Sequence, residues 1–185
     1  MTKLRGRADR AVEQIAGSAL IPPKRMLDNR GEFGKVLSSA VRDEFCYDFA
    51  VREIFWNTSH RGVVRGMHLL LSDQLAAKAI WVTSGRIRSV VLDLRRSSKT
   101  FGEYSEQVLD SAAGILIIPM GCANGFEALA DGTIVNFAQE QDFDSSREVG
   151  IRWNSFGCNW LTTNPVVSER DQQLPHLNEF ESPFE

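Results

Sequence analysis

The sequence predicts an all-β domain, an antiparallel barrel or sandwich. Three observations carry that prediction. Short runs of β-branched and aromatic residues recur from residue 47 onward. Glycine and proline separate them. No helical period runs through the middle of the chain. Strands do not alternate with helical segments, which argues against a doubly wound α/β fold. At 185 residues the chain has room for one domain with a sizeable core.

Residues 1–24 read as an N-terminal arm, stopped as a helix by Pro22 and Pro23. Residues 25–185 read as a single domain with a C-terminal tail. Asp28 to Phe33 is a turn, loosened by Gly31, followed by an extended segment. Tyr47 to Phe55 alternates apolar and polar residues, as a strand does, and Asn57 to Gly62 reads as the turn after it. Lys78–Val82 and Ile87–Asp93 flank Thr83-Ser84-Gly85-Arg86 as a hairpin. Both faces of the second of these strands are partly apolar, so one is expected to face a core and the other a partner or a cavity. Ile115–Ile118 is a short buried strand ended by Pro119, and Pro119 to Phe126 is a compact turn entering the next strand. Thr133 to Glu140 is strand-like again, with Ile134, Val135 and Phe137 as β-formers. Ser168-Glu169-Arg170-Asp171 has the spacing of a helix cap.

The net charge of -3 argues against a general nucleic-acid binder, which needs a basic footprint. No apolar run reaches the roughly 18 residues of a membrane span. The N-terminal stretch lacks the continuous apolar core of a signal peptide, so a cytoplasmic location is expected. Cys46, Cys122 and Cys158 are odd in number and form no CxxC pair, which points to isolated thiols. Neither GxGxxG nor a Walker sequence is present.

His60, His68 and His176 are the candidates for proton transfer near neutral pH. Of these, His68 stands out because a strand fixes its direction. Arg65 lies three residues before it, which in an ideal strand puts the two on opposite faces, although Gly66 permits a bend. His68 has no HxH or HxxxH partner, so no metal site is expected. Asp93, set among apolar residues, needs a partner such as Arg95 or Arg96. Arg30, Arg65 and Lys78 are candidates for binding phosphate.

Taken in order, a set of motifs resembles the dTDP-4-dehydrorhamnose 3,5-epimerases. It begins with Asp28-Asn29-Arg30-Gly31 and Arg65-Gly66-Met67-His68, and continues with Val91 to Gly102 and Ile118 to Phe126. It ends with Gly150-Ile151-Arg152-Trp153 and Ser168-Glu169-Arg170-Asp171. The resemblance implies a jelly-roll (cupin-type) antiparallel β-barrel with short peripheral helices, assembled as a homodimer. It implies a nucleoside-diphosphate 4-keto-6-deoxy sugar as substrate and no cofactor. His68 is then the base that removes a proton beside the ketone, held by Asp171. Arg30, Arg65 and Lys78 bind phosphate or stabilise the enolate.

The departures from the family pattern shape the expected reaction. Phe137 stands where the family has the tyrosine that donates a proton from the opposite face. Asn124 replaces a pocket histidine, and can hydrogen-bond but not titrate. Leu70 replaces a common glutamine. Phe143 matches the aromatic that stacks on the nucleotide base, without a phenolic hydroxyl. The expectation is epimerisation at one centre, C3. The alternatives are a full 3,5-epimerase with a relocated acid, a related keto-sugar isomerase, and an inactive sugar-nucleotide-binding or structural homologue.

Overall fold

The computed structural model describes residues 14–38, 50–71 and 78–185. Cys46 and the start of the strand expected from Tyr47 lie outside them, as do residues 1–13 of the arm. Twelve strands follow in chain order: β1 (Ala19–Ile21), β2 (Lys24–Asp28), β3 (Gly31–Lys35), β4 (Glu53–Ser59), β5 (Val64–Leu70), β6 (Lys78–Ser84), β7 (Arg86–Asp93), β8 (Tyr104–Asp110), β9 (Ile115–Ile118), β10 (Cys122–Ala128), β11 (Thr133–Gln139) and β12 (Glu148–Gly150). The other elements among the described residues are one helical turn, α1 (Glu169–Gln172), and a 3-10 turn at Leu177–Glu179.

The strands form two five-stranded sheets. The first runs β1-β9-β6-β11-β4 and the second β12-β5-β10-β7-β8, while β2 and β3 pair only with each other. Every strand-to-strand pairing is antiparallel. The expected closed barrel is not formed. Each sheet keeps two edge strands, and among the described residues neither sheet closes on itself. Closure requires hydrogen bonding from the last strand back to the first. Alternation in a sequence reports which residues face inward, not whether the edges meet.

The sheets face each other across a core. Ile80 and Val82 of β6, Leu116 and Ile118 of β9, and Val135 and Phe137 of β11 meet Ile87 and Val91 of β7 and Phe126 and Ala128 of β10. A second apolar cluster lies on the far face of the second sheet, where Met67, Leu69, Val90, Leu92 and Ala123 are covered by Ile151, Phe156 and Leu177 from the C-terminal segment. Strand β7 therefore packs on both faces, which explains its continuous burial from Ile87 to Asp93. A third cluster, including Ala79, Ile117 and Ala138, lies on the outer side of the first sheet. Residues after 14 join the fold: Ile15 and Ile21 are fully buried, and β1 pairs with β9.

The hairpin expected around Gly85 does not form: β6 pairs with β9 and β11 and β7 with β8 and β10, so the turn carries the chain from one sheet to the other. Two boundaries also differ from expectation. Strand β4 begins at Glu53 and continues through Asn57–Ser59, the stretch read as a turn. Its pairing with β11 covers all seven residues, and those ladder bonds outweigh the turn preference of Asn57 and Ser59. The compact turn after Pro119 is shorter than expected, because β10 starts at Cys122.

Candidate functional site

Strand β5 carries the site, and an irregularity in its pairing sets which side chains face inward. His68 pairs with Asn124 of β10 and Arg65 pairs with Phe126. Three residues on β5 thus span two on β10, a β-bulge. The extra residue returns Arg65 and His68 to one face, resolving the conflict posed by their spacing. That face is the inter-sheet one. Asn124 alternates with Cys122 and Phe126 of the inter-sheet core, while Met67 and Leu69 point to the far cluster. The bulge needs glycine at its centre. Gly66 has φ of 123°, and a Cβ there would stand 2.5 Å from the Gly125 Cα.

His68 and Asp171 meet. His68 Nε2 and Asp171 Oδ1 are 2.7 Å apart, and Asp171 Oδ2 accepts the Gly66 N–H at 3.1 Å. With the proton on His68 Nε2, the ring presents Nδ1 as its basic nitrogen. The Asp171 side chain is 5% exposed and that of His68 22%, so the carboxylate is shielded while the imidazole stays accessible. Burial alone would raise the Asp171 carboxyl. The bond and charge of His68, the Gly66 N–H and the Arg170 charge outweigh it and hold the group below its usual range. Asp171 reaches this position from α1, whose cap Ser168 accepts the Asp171 N–H at 3.1 Å. The cap forms as the spacing suggests, but the Asp171 carboxylate serves β5 rather than its own helix.

Lys78 lies on the facing sheet. It lines a small cleft with Leu69, Leu70, Ile118, Cys122 and Gln139. The cleft volume of about 30 Å³ holds one or two waters, so a larger ligand extends into solvent. Burial pushes the Lys78 ammonium down to about 8, against a smaller opposing pull from Glu148. Glu148 stands opposite Leu70 on β12 and pairs with Arg170 at 2.6 Å. Burial drives the Cys122 thiol far upward, helped by the Asp93 carboxylate, so it stays protonated.

The remaining expected residues fall in several places. Arg65 Nε donates to Ser59 Oγ at 3.1 Å and its Nη2 to the Thr58 carbonyl at 3.1 Å, tying β5 to β4 across the open side of the sandwich. Asn124 is buried and its Nδ2 donates to the carbonyls of Val90 and Gly125, each at 3.3 Å. Phe137 is buried against Phe55, the rings stacked 4.8 Å apart, with Phe126 beside it. Phe143 is half-exposed, and its N–H donates to Glu53 Oε2 at 3.0 Å. Arg30 sits at the tip of the β2–β3 hairpin, 85% exposed and paired with Asp28. Within one chain, then, His68, Arg65 and Asn124 lie on the inner face of the second sheet with Asp171 reaching His68 from α1, Lys78 and Phe137 lie on the inner face of the first, and Arg30 stands apart at the hairpin tip.

Tyr104 does not supply the hydroxyl that Phe137 lacks. It belongs to the far cluster and donates to the Gly157 carbonyl at 3.3 Å. Asp93 is structural: its carboxylate accepts from Arg95, Ser98 and Thr100. Sequence reasoning missed Glu53, Gln139 and Glu148 around the cleft. Gln139 was detectable as the residue two beyond Phe137 on the same strand. Glu53 and Glu148 become neighbours of the cleft only through long-range strand pairing. Among the described residues no three His, Cys, Asp or Glu side chains converge as a metal site.

Known proteins resemble this chain along most of its length. The family model described as dTDP-4-dehydrorhamnose 3,5-epimerase matches residues 13–179. A dTDP-4-dehydrorhamnose 3,5-epimerase of Streptomyces griseus is 31% identical over 171 residues, covering 90% of this chain and 86% of that protein. The crystal structure of a dTDP-4-dehydrorhamnose 3,5-epimerase from Sulfolobus tokodaii superposes with a TM-score of 0.83 at 32% identity, covering 92% of this chain and 95% of that one. ChmJ, a 3'-monoepimerase from Streptomyces bikiniensis in complex with dTDP-quinovose, superposes with a TM-score of 0.82 at 25% identity, covering 90% and 87%.

Proposed function

The chain belongs to the dTDP-4-dehydrorhamnose 3,5-epimerase family, and from that membership we propose that it epimerises a nucleotide-linked 4-keto-6-deoxy sugar at one centre, C3. The observation that carries the reading is the His68–Asp171 pair, closed at 2.7 Å on an inter-sheet face that also holds Arg65. A ketone at C4 makes the neighbouring C–H acidic. His68 Nδ1 takes that proton, and Asp171 keeps the ring in the required tautomer and stabilises the imidazolium. Arg65 supplies positive charge for the enolate and the phosphates. A proton returned to the other face of the planar enolate completes the inversion. The restriction to one centre rests on Phe137, which has no proton to give.

A homodimer fits the same reading. All ten residues of β2 and β3 are exposed, among them Met26, Leu27 and Phe33, and apolar groups of this size on a hairpin outside both sheets suit a protein surface. Phe143, half-exposed near the cleft, is available to stack on a base.

The test is solvent deuterium uptake into a dTDP-4-keto-6-deoxyhexose, comparing the native chain with His68→Ala. Label at C3 alone that depends on His68 is the expected result. Label at C5 as well would replace the one-centre reading by a two-centre one. No label above background would remove epimerisation of this substrate from consideration.

A further inference from the structure

An inversion needs an acid on the face of the enolate opposite the base. His68 stands on the second sheet, so the acid belongs on the inner face of the first. Among the described residues, the side chains there are Ile80 and Val82 of β6, Leu116 and Ile118 of β9, Thr133, Val135 and Phe137 of β11, Phe55, Asn57 and Ser59 of β4, and a polar row at the open end: Glu53, Gln139 and Lys78. Asn57 cannot titrate, the Ser59 hydroxyl accepts from Arg65, and the Thr133 hydroxyl donates to the Ala130 carbonyl. The row is one register line, since Gln139 pairs with both Glu53 and Lys78. Glu53 Oε2 is occupied, accepting from Gln139 Nε2 at 2.7 Å and from the Phe143 N–H at 3.0 Å. Gln139 cannot titrate. Lys78 forms no hydrogen bond or ion pair among the described residues, and it lines the same cleft as Leu70, two residues beyond His68.

We infer that Lys78 is the acid of the reaction, delivering a proton from its ammonium to the sugar carbon on the face opposite His68, in the place left empty by Phe137. The inference rests on the epimerase reading above. The step balances. His68 takes the proton and the C–H electron pair becomes the enolate double bond. That pair then forms a new bond to a Lys78 proton as the C4 carbonyl is restored. Imidazolium and neutral amine return to their starting states by exchange with solvent. An ammonium lowered by burial to about 8 gives up its proton more readily than an exposed one. The titratable groups around it are Glu148 on β12, Glu53 on β4, Cys122 on β10 and His68 on β5, with Arg170 and Asp171 behind them on α1. Of these Glu148 alone acts on it appreciably, favouring the charged form.

The experiment separates deprotonation from inversion. In deuterated solvent, His68 alone can wash label into C3 with retention, whereas the epimer requires the second group. For Lys78→Arg, which keeps a positive charge without a transferable proton at neutral pH, we expect label exchange within about threefold of wild type and epimer formation reduced by about 100-fold. Epimer formation near the wild-type rate overturns the assignment. So does parallel loss of exchange and inversion, which would make Lys78 a stabiliser of the enolate. Should Lys78→Arg fail to fold, the native chain answers the question. Its ratio of inversion to exchange stays level below pH 8 and falls above it, and a ratio flat to pH 9.5 overturns the inference. Absence of exchange in the native chain instead overturns the underlying reaction, and the inference with it.

Discussion

Asn124 stands directly across from His68 on the neighbouring strand. Its amide nitrogen faces the carbonyl oxygens of Val90 and Gly125, and the residue is 4% exposed. The two carbonyls accept hydrogen bonds and offer none, and the Ser89 hydroxyl lies farther off, 3.5 Å from the same nitrogen. Asn124→Asp sets a buried carboxylate against two carbonyls, and we expect it to cost about 3 kcal/mol at pH 7. The loss shrinks in acid, as the carboxyl gains a proton to donate. Urea unfolding at pH 7 and pH 4 measures both. Equal loss at the two pH values would show that the amide donor is not what matters at this position.

The second prediction concerns Asp171. Asp171→Asn preserves the shape of the pair and removes its charge. Label exchange at C3 should fall by about 100-fold through kcat, with KM within about threefold. A change confined to KM would mean that Asp171 positions substrate rather than His68.

Asp93 governs acid stability. Burial pushes its carboxyl up, but the Arg95 guanidinium, the Ser98 and Thr100 hydroxyls and the Arg95 N–H hold it below the usual carboxylate range. A carboxyl lowered by folding stabilises above its unfolded pKa, and that contribution is lost as pH falls through the folded value. Asp93→Asn should therefore lower stability by about 2 to 3 kcal/mol at neutral pH. The gap between variant and wild type should close only below the ordinary carboxylate range. A gap that is constant from pH 7 to pH 2 would contradict this.

Phe137→Tyr tests the vacancy on the first sheet. The ring lies against Phe55 and Phe126, so the fold should tolerate the change at a cost near 1 kcal/mol. In the Lys78→Arg background the new phenol should recover at least about tenfold of the lost epimer formation. If the double variant is as poor as Lys78→Arg, the phenol does not reach the reacting carbon. Label appearing at C5 in the single variant would mark the phenol as the determinant of the second centre.

Local chemistry made part of this molecule legible. The β9 strand ended by Pro119 and the Ser168 cap each depend on residues within a few positions of one another, and each appears where the sequence indicates, whereas the turn at Gly85 forms but joins strands of different sheets. Membership of His68 and Asp171 in one site came from motif resemblance, since 103 residues separate them and no periodicity connects them. Other features were beyond local reading. Asn57 and Ser59 prefer turns in isolation, yet the full-length ladder to β11 holds them in β4. The open edges of both sheets follow from strand order, which no single strand encodes. Glu148 joins the cleft because β12 pairs with β5.

The extra residue in β5 acts as a parity switch. A strand has only two sides, and one inserted position exchanges them for everything downstream unless a bulge absorbs it. Were Gly66 unable to hold the bulge, regular pairing of the same residues would turn the imidazole toward the apolar layer formed by Ile151 and Phe156, whereas removing the extra residue together with the bulge would leave it facing inward. Whether this chain can present a base to a substrate at all thus depends on a residue with no side chain, and one substitution at Gly66 would withdraw the base without altering any side chain that surrounds it.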